Sequence, residues 1–516
     1  MSKEIVLIGD IYPKIFSNRP LTIYRLASHL RDKGYEVDAF WGWVNTTEQQ
    51  FYDVIDKIVG PETKVVGISA TLMYNPTTGG FWGIEDDEAE RRILYIKSKN
   101  PSVKVICGGS QIQNVDASLL TKYTYIDYFI SGQGEEILLN FVELLEQGKK
   151  PMLESVLPKI ITDKPYPFLD FNKSPTIYTK DDVIIKNEPL NLELARGCIF
   201  NCAFCSYSLN GKKREDYTKS NSTLREELLR NYGEYGTTSY LFVDDLINDS
   251  EEKVDMIYDV ASSLPFKIKF SGFMRLDLIW KYKSMAQKLV DSGCVGAFFG
   301  IETLNDASGK TIQKGLGKRR IEEGLLHARE AWKDNVIIEG SFILGLPKDQ
   351  PDVSYELEDW LMNGVGSKTI NYVSIYPLHL QEGGKNDIAN NPEEYGYKKI
   401  IDPNTVNMRT IGSYMDWEQQ HGYTFTQAQK DAKRVFDNFF SKKNYPQTTI
   451  FGTPWMMKYV HPEYNKIVVN NKRFIPGAMT PDQHKGMLYQ RTRMAHKQNY
   501  YKYYKTYMQM LSERQK

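Results

Sequence analysis

Residues 196–206 read Arg196-Gly197-Cys198-Ile199-Phe200-Asn201-Cys202-Ala203-Phe204-Cys205-Ser206, and the chain is best read outward from them. The run holds three of the chain's 5 cysteines, spaced C-x3-C-x2-C. Three thiolates on one short loop can hold three irons of a [4Fe–4S] cluster and leave the fourth iron without a protein ligand. A structural zinc site needs a fourth cysteine or histidine close by, whereas the next histidine is the distant His327. An odd cluster of three cannot pair off into disulfides, and thiols in a reducing compartment stay reduced. Three unrelated core cysteines would not gather this closely.

The apolar run Leu190–Ala195 predicts a strand that delivers this loop. Further strands are expected at Ser239–Val243, Lys267–Phe273, Ala297–Ile301, Val336–Leu344 and Thr369–Tyr376, with helical periodicity between them. Such units predict a partial (β/α)6 barrel, whose chemistry belongs on loops at the carboxyl ends of its strands. Those ends read Asp244-Asp245, Arg275, Gly300-Ile301-Glu302-Thr303 and Gly345-Leu346-Pro347. Plainer readings stand beside the functional one. The two aspartates suit a helix start, Arg275 can pair with Asp277, and Glu302 can be a solvated carboxylate.

Upstream, short apolar runs (Ile5–Gly9, Glu36–Trp41, Lys64–Ser69, Lys104–Gly108, Tyr125–Ser131) alternate with amphipathic helical stretches. This pattern predicts a Rossmann-like, doubly wound parallel sheet, with any ligand across the carboxyl ends of the strands. There stand Asp10, Ser69-Ala70-Thr71, Gly108-Gly109 and Ser131-Gly132-Gln133-Gly134-Glu135. Glycines let a bulky ligand approach the backbone, although any turn also uses them. No G-x-G-x-x-G follows the first strand, which disfavours a nicotinamide or flavin dinucleotide. Cys107 and Cys294 read as core residues.

The expected domains are 1–150, a proline-rich linker over 151–187 with room for a hairpin, the barrel over 188–380 and a mainly helical C-terminal extension over 381–516. Thr426–Phe440 reads as an amphipathic helix and Thr480-Pro481 as a helix start. The last helix interleaves Tyr500, Tyr501, Tyr503, Tyr504 and Tyr507 with Lys502 and Lys505. The expectation is that its tyrosines lie on the barrel with the lysines solvated. Lys+Arg and Asp+Glu both number 65 over 516 residues, so charge gives no argument for nucleic acid or an anionic membrane. No apolar run approaches the roughly 20 residues of a membrane span. The start of the chain reads as a strand rather than a signal peptide, and the expected location is cytoplasmic.

The cysteine spacing, the aromatic Phe204 before the last cysteine and the preceding Arg196-Gly197 together resemble the radical S-adenosylmethionine (SAM) superfamily. The Rossmann-like domain ahead of the barrel resembles its subclass with an N-terminal cobalamin-binding domain. The resemblance implies Cys198, Cys202 and Cys205 as cluster ligands, with SAM on the open iron. It implies Phe204, Asp244, Asp245, Arg275, Glu302 and Gly345 around SAM. The aspartates would face its ammonium, Arg275 its carboxylate, and Gly345 would let adenine lie against the backbone. For cobalamin it implies Ser69, Thr71, Gly108, Gly109, Gly132, Gly134 and Glu135. One departure stands: no Asp-x-His-x-x-Gly occurs, so no lower axial histidine is offered.

The leading functional reading is reductive cleavage of SAM to a 5′-deoxyadenosyl radical in a cobalamin-dependent methyltransferase acting on an unactivated carbon. The alternatives are a radical SAM cyclase, oxidase or rearrangement enzyme without methyl transfer, and a non-catalytic binding protein on a decayed scaffold. Implied partners are a small-molecule or peptide substrate and a reductant such as flavodoxin or ferredoxin.

Overall fold

The computed structural model describes residues 2–11, 18–70, 82–109, 112, 117–153, 159–162, 169–205, 218–314, 316–381, 386–400, 414–443 and 481–515. They form two compact units. One contains Met1–Glu188 and Arg493–Lys516; the other contains Pro189–Met408 and Ser413–Thr492.

The first unit is built on a six-stranded parallel sheet: β1 (Ile5–Gly9), β2 (Val37–Trp41), β3 (Val65–Ser69), β4 (Lys104–Gly108), β5 (Tyr128–Ser131) and β6 (Ile160–Thr162). Their order across the sheet is β2-β1-β3-β4-β5-β6, so the winding reverses between β1 and β3. Strands β1, β2 and β3 are buried along their whole length, as expected of a sheet covered on both faces. Strand β6 lies in the segment expected to be a linker with room for a hairpin. It instead joins the sheet parallel to β5, with Ile160 and Ile161 buried.

The C-terminal helix Pro481–Arg514 supplies a second difference. Its tyrosines pack against the edge strand of the first sheet, not on the barrel. Tyr500, Tyr503, Tyr507 and Leu511 share one buried face at helical spacing. The Tyr507 ring stacks on Phe40, Tyr503 lies 5.2 Å from the Trp41 ring, and the Trp41 backbone N–H donates to the Tyr503 hydroxyl. Arg514 closes the contact through Nη1, which donates to both carboxylate oxygens of buried Asp38 at 2.9 and 2.8 Å. A sheet edge leaves N–H groups without ladder partners, and an amphipathic aromatic helix covers them. The lysines Lys502 and Lys505 are solvent-exposed, as expected.

The second unit holds β7 (Leu190–Leu192), β8 (Ser239–Phe242), β9 (Lys269–Met274), β10 (Cys294–Glu302), β11 (Ile337–Leu344) and β12 (Tyr372–Pro377). They form one parallel sheet in sequential order, the partial barrel expected from the strand–helix alternation. A three-stranded antiparallel sheet of β13 (Leu380–Gln381), β14 (Tyr397–Ile400) and β15 (Tyr414–Gln419) follows. The helix expected from residue 426 runs over Phe425–Lys443 and buries Ala428, Ala432, Val435 and Phe439. Cys107 and Cys294 are buried, and burial pushes the Cys294 thiol up to about 12.

Candidate functional site

The cysteine loop is fixed by the strand ends around it. Just after β7, the backbone N–H groups of Leu194 and Ala195 donate to the two carboxylate oxygens of Asp244, at 2.7 and 2.8 Å. The ammonium of Lys253 lies 3.0 Å from the same carboxylate, which is 1 % exposed. Asp244 is therefore saturated and acts as a latch at the base of the loop. Desolvation raises its pKa, and Lys253 with the backbone donors pulls the other way.

Asp245 differs. One of its oxygens accepts from the Gly197 N–H at 2.9 Å, and among the described residues the other carries no hydrogen bond. Burial pushes its carboxyl up to about 6. Gly197 itself sits at φ +88°, a conformation that favours glycine and turns the chain into Cys198. Cys202 is buried, while Cys198 and Cys205 are partly exposed. The Cys205 N–H donates to the Cys202 carbonyl at 2.9 Å, and Ala203 is tied through its N–H to the Ile312 carbonyl.

Arg275 follows β9 and commits all three of its guanidinium nitrogens. Nε and Nη2 donate to the two oxygens of Asp277 at 2.9 and 2.7 Å, and Nη1 donates to the Cys202 Sγ at 3.4 Å. Its guanidinium carbon lies 3.9 Å from the centroid of the Phe200 ring. Glu302, the last residue of β10, is held at φ +69°, a sparsely populated conformation for a side chain of this kind. Its carboxylate accepts from the Lys314 ammonium at 2.9 Å, and that ammonium lies 5.9 Å from the Phe204 ring. Gly300 makes this pair possible, since a Cβ there would overlap both groups. Lys314 is the residue that sequence reasoning missed. A lone lysine in a loop carries no signal, and only its approach to Glu302 and Phe204 marks it.

At the end of β11, Gly345 has φ +81°, and a Cβ on it would overlap the Trp417 indole. Its carbonyl accepts from the Tyr397 hydroxyl at 2.7 Å and from Gln419 Nε2 at 3.0 Å. The N–H groups of Gly345 and Leu346 donate to Asp349, which also accepts from the Ser308 hydroxyl. Burial pushes Asp349 up to about 7. The small sheet thus packs onto Gly345 on the side where a side chain would stand.

In the first unit the residues expected at the strand ends are arranged through backbone rather than through side chains. Gly109 and Gly132 have φ of +122° and +114° and turn the chain out of β4 and β5. Ser69 is buried at the end of β3, and the next N–H, of Ala70, donates to the Gly108 carbonyl at 2.6 Å. Gly134 begins the helix Gly134–Glu146 against Leu26. Glu135 is buried with its carboxylate 3.3 Å from Arg25 Nε. Thr71 lies outside the described residues.

The donor set fits a cluster: three cysteines on one pinned loop, one of them already receiving a charged N–H. Among the described residues no three Cys, His, Asp or Glu side chains are grouped as ligands of one metal ion. A [4Fe–4S] cluster makes no such demand, because each thiolate takes its own iron. For cobalamin, the chain turns on glycines after β4 and β5, whereas Glu135 is already engaged by Arg25.

No family model matches the chain. It is 25 % identical over 353 residues to an uncharacterised methyltransferase of Pyrococcus horikoshii, covering 64 % of this chain and 70 % of that protein. It is 24 % identical over 292 residues to the anaerobic magnesium-protoporphyrin IX monomethyl ester cyclase of Cereibacter sphaeroides, covering 52 % of this chain and 46 % of that one. Its fold is similar to that of the radical SAM methyltransferase TsrM from Kitasatospora setae, solved with cobalamin and a [4Fe–4S] cluster, at a TM-score of 0.63. The two are 14 % identical, and the match covers 96 % of this chain and 100 % of that one. OxsB, a cobalamin-dependent radical SAM enzyme solved with aqua-cobalamin and SAM, matches with a TM-score of 0.56 at 15 % identity, over 96 % of this chain and 72 % of its own. The resemblance read from the cysteine spacing and the domain order is borne out by these matches. No described helix is long and apolar enough to cross a membrane.

Proposed function

We propose that the chain is a cobalamin-dependent radical SAM enzyme that transfers a methyl group to an unactivated carbon. The observation that carries this reading is the cysteine loop held by the ends of β8 and β9, with the Glu302–Lys314 pair beside Phe204. Cys198, Cys202 and Cys205 would hold the cluster and Asp245, Glu302 and Lys314 would face SAM. Asp244, saturated by the backbone of the loop, would set the loop's position. Ser69, Thr71, Gly108, Gly109, Gly132 and Gly134 would accommodate cobalamin, with Glu135 steadied by Arg25.

When bound, the cluster supplies the electron that splits SAM into methionine and a 5′-deoxyadenosyl radical, and cobalamin supplies a methyl carrier. The chain's own contribution is placement. Asp245 offers an acceptor that suits an ammonium, and the Lys314 ammonium can exchange part of its contact with Glu302 for a carboxylate. Each side chain is already oriented before ligand arrives, which lowers the cost of binding. The proposed domains are 1–150 for cobalamin, 188–380 for the cluster and SAM, and 381–516 as extension, with 151–187 between the first two and adding β6 to the first sheet. The setting is cytoplasmic, with a flavodoxin or ferredoxin as electron donor and a small molecule or peptide as substrate.

Anaerobic reconstitution with iron and sulfide, followed by assay for 5′-deoxyadenosine, tests the reading. A correctly formed cluster that yields none would refute it. Relatedness to the magnesium-protoporphyrin cyclase supports a second reading, radical chemistry without methyl transfer. In that case 5′-deoxyadenosine forms but no methylated product does, and failure to retain added hydroxocobalamin would remove the methyl-transfer reading.

A further inference from the structure

We infer that Arg275 and Asp277 act as a matched pair that sets the reduction potential of the cluster, with Arg275 a positioning residue for electron entry. The inference rests on the cluster-holding part of the proposed function. Arg275 is 6 % exposed, and its Nη1 donates to the Sγ of Cys202, the one buried cysteine of the triplet. Its other donors, Nε and Nη2, are spent on Asp277. The plane of the group is fixed further by the Phe200 ring on one side and by its backbone. There, the Arg275 N–H donates to Asn248 Oδ1 at 2.8 Å, and Asn248 Nδ2 donates to the Arg275 carbonyl at 2.9 Å. Each nitrogen of the guanidinium thus already has a partner, and a SAM carboxylate would have to share the remaining N–H groups of Nη1 and Nη2.

The physical consequence follows from charge. Adding one electron to a cluster makes its sulfurs more negative, so a charged N–H donor on a ligating sulfur stabilises the reduced form and raises the potential. Asp277 works the other way. It lies on the far side of the same guanidinium, lowers the net positive charge seen by the sulfur, and locks the fork so that Nη1 cannot leave. The pair therefore supplies a fixed, partly neutralised dipole pointing its positive end at Cys202. A surface ion pair of the same composition would be screened by water; this one is mostly out of it.

The two residues then make predictions of opposite sign. Each variant is reconstituted anaerobically and titrated without SAM, with the reduced cluster followed by electron paramagnetic resonance. Arg275→Gln should shift the midpoint negative by a tenfold or greater fall in the equilibrium constant for one-electron reduction, about 59 mV. Arg275→Lys should recover part of the shift, since it keeps the charge and loses the fork. Asp277→Asn should shift the midpoint positive. An unchanged midpoint in Arg275→Gln, or a negative shift in Asp277→Asn, overturns the inference, and the second variant keeps the arginine should the first fold poorly. If the variants show these shifts while the wild-type protein forms no 5′-deoxyadenosine with SAM, the functional reading falls and this one stands.

Discussion

The two parallel sheets are finished in different materials. At the carboxyl ends of β8, β9 and β10, charged side chains do the holding: Asp244 and Asp245 on the loop backbone, Arg275 on a cysteine sulfur, Glu302 on Lys314. At the ends of β4 and β5 the chain turns on Gly109 and Gly132, and the acid that follows, Glu135, faces inward to Arg25. A small charged ligand with an ammonium and a carboxylate is recognised by placed charges. A broad, flat one is recognised by surface that has been cleared. On the proposed reading, the barrel unit would serve the first task and the Rossmann-like unit the second.

The sharpest way to break this contrast is at the cysteines. Cys202→Ala is expected to abolish 5′-deoxyadenosine formation and to cut the iron and acid-labile sulfide held after reconstitution, both read on the purified protein. Next in size is Asp244→Ala. It strands the N–H groups of Leu194 and Ala195 and leaves Lys253 buried beside a vacancy, at a cost of about 3–5 kcal/mol. Urea denaturation should show it, and Asp244→Asn should lose less.

Asp349 sharpens the comparison through pH. Burial holds its folded pKa near 7, above the ~3.9 of an unfolded aspartate, so the folded chain binds the proton more tightly. Its contribution is full below the unfolded value and is lost as pH rises through about 7, on the order of 4 kcal/mol across that window. In Asp349→Asn, the amide oxygen can keep the N–H groups of Gly345 and Leu346. That variant should show a flatter dependence of the urea midpoint on pH between about 4 and about 7. The smallest effect belongs to the first sheet. Gly109→Ala or Gly132→Ala should cost about 1–3 kcal/mol of backbone strain and reduce retention of added hydroxocobalamin, read by visible absorption after desalting, while leaving the iron content intact. Loss of iron in those variants would mean that the two sheets do not divide the work as argued.

The same contrast explains how much was legible in the sequence. Cys198, Cys202 and Cys205 announce themselves because residue type and spacing are the chemistry. Strands such as Ile5–Gly9 and Lys104–Gly108 were readable because continuous apolar runs fit a sheet buried on both faces. Strand β6 was not, since Ile160-Ile161 is too short a signal among prolines. For Arg275 both partners, SAM and Asp277, were visible as options. Only geometry shows the fork spent on Asp277 and Cys202. Gly345 was read for its smallness, and the space it clears is taken by Trp417. The tyrosine face of the last helix was legible as a buried face, but amphipathicity says only that a face is covered, never by what.

That helix has a consequence for how the protein is made. Trp41 and Tyr503 are 462 positions apart in the chain, yet they share a hydrogen bond inside one unit. At ribosomal speeds the edge strand β2 emerges on the order of half a minute to a minute and a half before its cover is synthesised. For that interval Phe40 and Trp41 are exposed on a bare strand edge, the kind of surface on which chains pair wrongly. The first sheet to be made is thus among the last structures to be finished.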